Sequence, residues 1–261
     1  MRPSWMTYGV LKALSRADLL SVLKDNGFEG VEFRTDANHG HGVEASIGSE
    51  ERQQVVTDCA AAGIEICSVA TGNRYHELDA ADVEGNIEET KQRMQLALDL
   101  GAPRVRVFGN NFPKEVSKEK TIAQVAEALK ELCAYGADIG VKPSLELHGE
   151  FDWQACKAVA EQVDHDNFGL IWNSTSQDIV DGSLEKALDA VWPWLDHVHL
   201  HDLAGQGYPY RELFRRLSQR GYTGFMSAEA ERKPENTAGY LPMFVAYYGD
   251  LFRAYVDLGK A

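Results

Sequence analysis

Four short stretches carry acids, an amide and imidazoles at the two-residue spacing that puts alternate side chains of a strand on one face. SLELHGE sets Glu146 and His148 side by side, and GLIWNSTSQ ends an apolar run on Asn173. DHVHLHDL alternates His197, His199 and His201 with Val198 and Leu200, and GFMSAEAE spaces Glu229 and Glu231 by two. A carboxylate between Leu145 and Leu147 is costly to bury alone, as is one behind Phe225, Met226 and Ala228, so Glu146 and Glu229 both demand partners. Three imidazoles on one strand are economically explained if at least one ligates a metal. Two carboxylates and a cation suit proton transfer at a carbon beside a carbonyl. Asn173 would otherwise cap the following loop, and Glu231, nearer the rim, is more often a surface charge. His39 and His41, in NHGHG, read as a mobile loop and make a weak metal site on their own.

The elements that must position these residues are short apolar runs at 5–10, 30–34, 64–70, 104–108, 143–148, 168–172, 196–200 and 224–229. Amphipathic stretches with three- and four-residue apolar spacing lie between them, most clearly at 17–24, 87–100 and 122–135. Gly27, Gly63, Gly101, Gly140 and Gly221 each stand between a helical pattern and the next strand, where a left-handed cap is needed. Eight strands alternating with eight helices in about 250 residues predict a single (β/α)8 TIM barrel over residues 1–261. A doubly wound sheet would place a glycine-rich phosphate turn after the first strand, and no GxGxxG occurs there. In a barrel the chemistry sits at the C-terminal strand ends. Arg34, His76, Arg106 and Asn110, at or just past strands two to four, are then candidates for gripping substrate hydroxyls or a carboxylate. Alternatively, Arg34 and Arg106 are simply ion-paired around the barrel mouth.

Composition bounds the function. With 26 Lys+Arg against 40 Asp+Glu, the chain of 261 residues carries a formal charge of −14, which argues against a nucleic-acid partner. Cys59, Cys67, Cys133 and Cys156 form no CxxC pair and read as buried thiols. The opening MRPSWMTYGVLKAL lacks the pattern of an export signal, and no run reaches the roughly 20 apolar residues of a membrane span. A cytoplasmic protein with no membrane partner is expected. The apolar side chains of YLPMFVAYYGDLF, near 240–252, could pack a neighbour in a homo-oligomer.

The phrases LELHG, HVHLHD and GYTGFMSAE, in this order and spacing, resemble the xylose isomerase-like TIM-barrel superfamily, in its sugar phosphate isomerase/epimerase group. The resemblance runs from GFEGVEFR to GYTGFMSAE. It implies one divalent cation (Mn, Mg, Co or Zn) on Glu146, Asn173, His199 and Glu229. The two glutamates would be the acid/base pair, acting on opposite faces of a keto-sugar or sugar acid through an enediolate. The resemblance gives His148 a place holding substrate; with it, the residues expected from their positions to hold substrate are Arg34, His76, Arg106, His201 and Glu231. The reaction expected is isomerisation or epimerisation; expulsion of a β-leaving group from the same enolate would make a lyase or dehydratase instead. Two departures stand out. The sixth strand of the family commonly reads Asp, two residues, then His, whereas this chain has Asn173 and Ser176; the seventh carries His201 where Lys is usual. A neutral carbonyl oxygen in place of a carboxylate weakens the hold on a hard dication, or abolishes it. A barrel that binds sugar without turnover is the reading that follows from a lost metal. The endonuclease branch of the superfamily would need more His and Asp ligands and a basic surface.

Overall fold

Eight parallel strands pair in chain order and close, β8 returning to β1. In the computed structural model, which describes residues 1–205, 207–230 and 240–260, they are β1 (Arg2–Met6), β2 (Gly30–Arg34), β3 (Glu65–Arg74), β4 (Arg104–Asn110), β5 (Lys142–Gly149), β6 (Gly169–Trp172), β7 (Leu195–Leu200) and β8 (Phe225–Ala228). The helices that follow them are α1 (Arg16–Asp25), α2 (Ser49–Ala62), α3 (Ala80–Leu100), α4 (Lys118–Ile139), α5 (Trp153–Val163), α6 (Glu185–Val191), α7 (Tyr210–Gln219) and α8 (Leu241–Lys260). This is the (β/α)8 TIM barrel expected from the alternation of patterns. Glu231 lies outside the described residues.

Local chemistry accounts for the boundaries. Ser15, Asp79, Ser117 and Asp152 each accept a backbone N–H at a helix start, satisfying donors that the helix cannot. The expected strand at 5–10 is earlier in fact: β1 ends at Met6, and Gly9, at φ +68°, turns the chain into a 3-10 turn at Gly9–Leu11. β3 continues past Ala70 to Arg74, which pairs with Phe108 of β4. All four cysteines are free and buried, as their scattered spacing implies, and burial pushes the Cys59, Cys67 and Cys133 thiols up to about 12. Among the described residues no helix is long and apolar enough to cross a membrane. Tyr240, Met243 and Tyr247, at the start of α8, are exposed.

At the N-terminal end of the barrel a polar floor closes the interior. Arg104 Nε donates to Asp196 Oδ2 at 2.7 Å, Arg104 Nη1 donates to the Cys67 carbonyl at 2.7 Å, and Ser144 Oγ donates to Asp196 Oδ2 at 2.7 Å. Gly169 makes room for this cluster, since a Cβ there would stand 2.7 Å from the Asp196 Cβ.

Candidate active site

At the opposite end, Glu146 of β5, His199 of β7 and Glu229, just past β8, converge. Glu146 Oε1 lies 3.1 Å from His199 Nδ1, and Glu229 Oε2 lies 3.6 Å from the same nitrogen. Glu146 is 1% exposed and His199 fully buried. These three offer ligand atoms within 4.8 Å of one another, so a metal would find them assembled. Asn173, directly after β6, is buried with its Oδ1 unpartnered, and Glu146 Oε2 and Glu229 Oε2 also lack a hydrogen bond. Three orphaned oxygens and one imidazole nitrogen, all buried, are the donor set a divalent cation takes. The four residues therefore fit such an ion.

The cleft beside them has a volume of about 330 Å³ and is lined by His148, Gly149, Asn173, Thr175, Ser176, Gln177, His201 and Glu229. His148 Nδ1 is 2.9 Å from Asn110 Oδ1. Asn110 reaches that position with φ +69°, a left-handed turn that asparagine tolerates. His201 donates its backbone N–H to Tyr210 Oη at 3.1 Å, and its ring Nδ1 lies 3.4 Å from the Glu229 carbonyl. Arg106 of β4 is 2% exposed, with Nη1 at 3.1 Å from Glu146 Oε2 and its guanidinium stacked 4.0 Å above the Phe108 ring. Arg34 ends β2, 3.6 Å from Asp36. The two arginines thus do not share one carboxylate. His76 is buried on the loop after β3, 4.0 Å from Glu77, and is not part of the cleft lining among the described residues.

One group beneath the site, Glu32, is not among the candidates read from the sequence. Glu32, in the middle of β2 and fully buried, has Oε2 at 3.0 Å from His199 Nε2 and 3.1 Å from His197 Nε2. His197 Nε2 is also 2.8 Å from Ser227 Oγ. A His199 Nε2–H donated to Glu32 leaves Nδ1 facing Glu146 and Glu229, which is how a carboxylate selects the ligating tautomer of a histidine. The signal was available: GVEFR sets a carboxylate in an apolar run just as SLELHGE does.

Electrostatics separate the two glutamates. Burial alone would raise the Glu146 pKa, but the Arg106 and His199 charges outweigh it and bring it down to about 2. Burial raises the Glu229 pKa, and the nearby Glu146 charge adds to the rise. Burial disfavours the charged His199 ring, yet Glu32 and Glu146 hold its pKa well above the usual value. The expected mobile loop around His39 and His41 is instead packed. The two rings are buried and stacked with centroids 5.2 Å apart, and burial lowers their pKa values to about 4 and about 3. His41 is held between Thr7 Oγ1 and the Val43 N–H, at 3.0 Å each.

The fold is shared with known proteins. A 2-oxo-tetronate isomerase of Haemophilus influenzae is 28% identical over 163 residues, covering 56% of this chain and 62% of that protein's length. A D-psicose 3-epimerase from Clostridium cellulolyticum H10 shares the fold at a TM-score of 0.80 and 16% identity, over 98% of this chain and 99% of that one. An IOLI protein whose structure holds a zinc atom superimposes at a TM-score of 0.78 and 17% identity, over 99% and 98%. The model of the xylose isomerase-like TIM barrel family matches residues 20–243, and the chain belongs to that family.

Proposed function

We propose that the protein is a sugar isomerase or epimerase, acting on a keto-sugar or sugar acid by proton transfer beside the carbonyl, through an enediolate. The observation that carries this reading is the meeting of two buried carboxylates, Glu146 and Glu229, from non-adjacent strands at one imidazole next to an open cleft. A substrate lying between them has one carboxylate on each face. One glutamate takes the α-proton, and the other returns a proton to the opposite face or to the neighbouring carbon. Arg106 keeps Glu146 ionised and in place, and His199 bridges the pair. Glu32 fixes the ring of His199 from below, and Asn110 orients His148 at the cleft wall.

Glu146, Asn173, His199 and Glu229 are the residues that would hold a divalent cation. Bound there, it supplies Lewis-acid polarisation of the substrate carbonyl. The relatives named above, a 2-oxo-tetronate isomerase and a D-psicose 3-epimerase, act on substrates of the proposed kind.

The test is a panel of keto-sugars and sugar acids incubated in deuterated water with and without chelator. Deuterium should enter the carbon beside the carbonyl, stop with chelator and return with added Mn. No exchange on any substrate would overturn the reading, and a dehydrated product would move it to a lyase.

A further inference from the structure

The barrel mouth is electrically divided. Its carboxylates, Glu146 and Glu229, come from β5 and the end of β8; its guanidinium groups, Arg34 and Arg106, come from β2 and β4. The two arginines occupy one level of the barrel. Arg34 pairs in register with Ala70 of β3, and Ala70 pairs with Arg106. Residues in register project to the same side of a sheet, so two long cations flank a single methyl group. Two residues on, the Arg34 guanidinium lies against Gly72, where a Cβ would stand 3.0 Å from its Nη2.

Neither cation is fully answered by protein anions. Arg106 is 2% exposed, yet its Nε and Nη1 have no hydrogen-bond acceptor, and its Nη2 reaches only Met6 Sδ at 3.7 Å. Its one charged contact is Glu146 Oε2 at 3.1 Å. Arg34 has Asp36 at 3.6 Å, but Arg93 shares that carboxylate, and the remaining Arg34 contacts are the carbonyls of Thr35 and Ala70. Burial and the neighbouring Arg106 charge together lower the Arg34 pKa to about 10. Neighbouring like charges, one of them buried with unused donors, are stabilised by an anion between them, and paired guanidinium groups suit a carboxylate's two oxygens.

We propose that Arg34 and Arg106, flanking Ala70 at the barrel mouth, together bind the carboxylate of a 2-oxo acid substrate. The proposal rests on the isomerase reading and names its substrate class as acid rather than neutral sugar. A carboxylate is favoured over a phosphate ester by position. Arg106 also contacts Glu146, so an anion bound to it sits a bond or two from the carbon on which the glutamates act. A 2-oxo acid has its charge directly on the carbonyl carbon, whereas a sugar phosphate has it at the far end of the chain.

Three probes with a common three-carbon ketone frame separate the alternatives: hydroxypyruvate, dihydroxyacetone and dihydroxyacetone phosphate. Calorimetry on the protein loaded with Mn should show hydroxypyruvate binding at least about tenfold more tightly than dihydroxyacetone. In Arg34→Gln that preference should fall by about tenfold, with dihydroxyacetone binding changing far less, and Arg34→Lys should restore part of it. Equal binding of acid and neutral ketone by the wild type would overturn the proposal without any variant. So would tightest binding of the phosphate, or an acid preference that survives Arg34→Gln. Solvent exchange keeps the two readings apart. Exchange on neutral sugars without acid preference leaves the isomerase standing and removes the carboxylate site; Arg34-dependent acid preference with no exchange does the reverse.

Discussion

β4 carries two inward arginines two residues apart, and they meet the barrel interior on different terms. Arg104, at the floor, has its Nε and Nη2 on Asp196, at 2.7 and 3.3 Å, and its Nη1 on the Cys67 carbonyl; Ser144 completes the carboxylate. Arg106, at the mouth, stands 3.1 Å from Glu146 with Nε, Nη1 and Glu146 Oε2 all lacking a hydrogen bond. A saturated buried ion pair has nothing left to offer a ligand. An unsaturated one is costly in isolation, and such groups collect where a substrate or ion completes them. The same residue types on the same strand thus build a brace at one end and a reactive surface at the other.

Exchanging the roles of the two ends in measurements would break this contrast. The largest effect expected is on turnover. Glu146→Gln or Glu229→Gln keeps shape and removes basicity, and should lower conversion by about 10²–10⁴-fold. Metal occupancy is measured in each variant first, since each also loses a ligand charge. Near wild-type conversion with the metal in place would end the two-carboxylate mechanism. At the floor the effect should fall on stability instead. Asp196→Ala strands Arg104 and should cost about 3–5 kcal/mol by denaturant unfolding, while the folded fraction still exchanges solvent deuterium into substrate. An Asp196→Ala protein as stable as wild type, or a Glu146→Gln protein destabilised by as much, would erase the distinction between the two ends.

Much of this was legible before any coordinates. The eight alternating patterns point to the barrel, though closure itself shows only where β8 pairs with β1, and Glu146, His199, Asn173 and Glu229 stand out as candidates because each interrupts or ends an apolar strand with a polar group. Arg104 and Arg106 were not separable, because hydrogen-bond saturation depends on what β5 and β7 bring across the barrel, over 92 residues of intervening chain for Arg104. Glu32 was passed over because a lone carboxylate on an early strand has no sequence neighbour to suggest a partner; its histidines are 165 and 167 residues away. His39 and His41 read as mobile because NHGHG is rich in turn formers, yet they stack on each other and are buried, with the Phe33 ring tilted 5.0 Å from His41.

Glu32 sharpens the contrast from beneath the site, with a smaller effect. Among the described residues its carboxylate contacts only His197 and His199, so Glu32→Gln leaves the mouth's own acids intact and disturbs which nitrogen of His199 bears the proton. Divalent affinity by calorimetry should fall about 10–100-fold, the usual consequence of losing such a support, with Glu32→Asp recovering part of it. Unchanged affinity would mean that His199 needs no orientation from below.

The smallest effect concerns another buried acid, beside the cleft rather than in it. Asp178 sits in the 3-10 turn Ser176–Asp178, accepting from the Thr175 N–H at 2.8 Å and from Tyr208 Oη at 3.1 Å. Tyr208 in turn accepts from Trp172 Nε1 at 2.8 Å, so one chain of bonds ties β6 to the loop before α7. Burial raises the Asp178 pKa to about 7, aided by the Asp152 charge and opposed by its two donors. The sign follows from the proton count. Between the unfolded value near 3.8 and about 7, the folded state holds a proton that the unfolded state has lost. Stability from this group is therefore complete below the unfolded value and is lost as pH rises toward 7, by about 1 kcal/mol per pH unit. Asp178→Asn keeps an acceptor and has no proton to lose, so its stability should be flatter than wild type from about pH 4 to 7. Paired urea titrations at pH 5.5 and 6.5 read the difference directly. Parallel pH dependence in the two proteins would show that Asp178 ionises in the fold without penalty, its two donors having already compensated for burial.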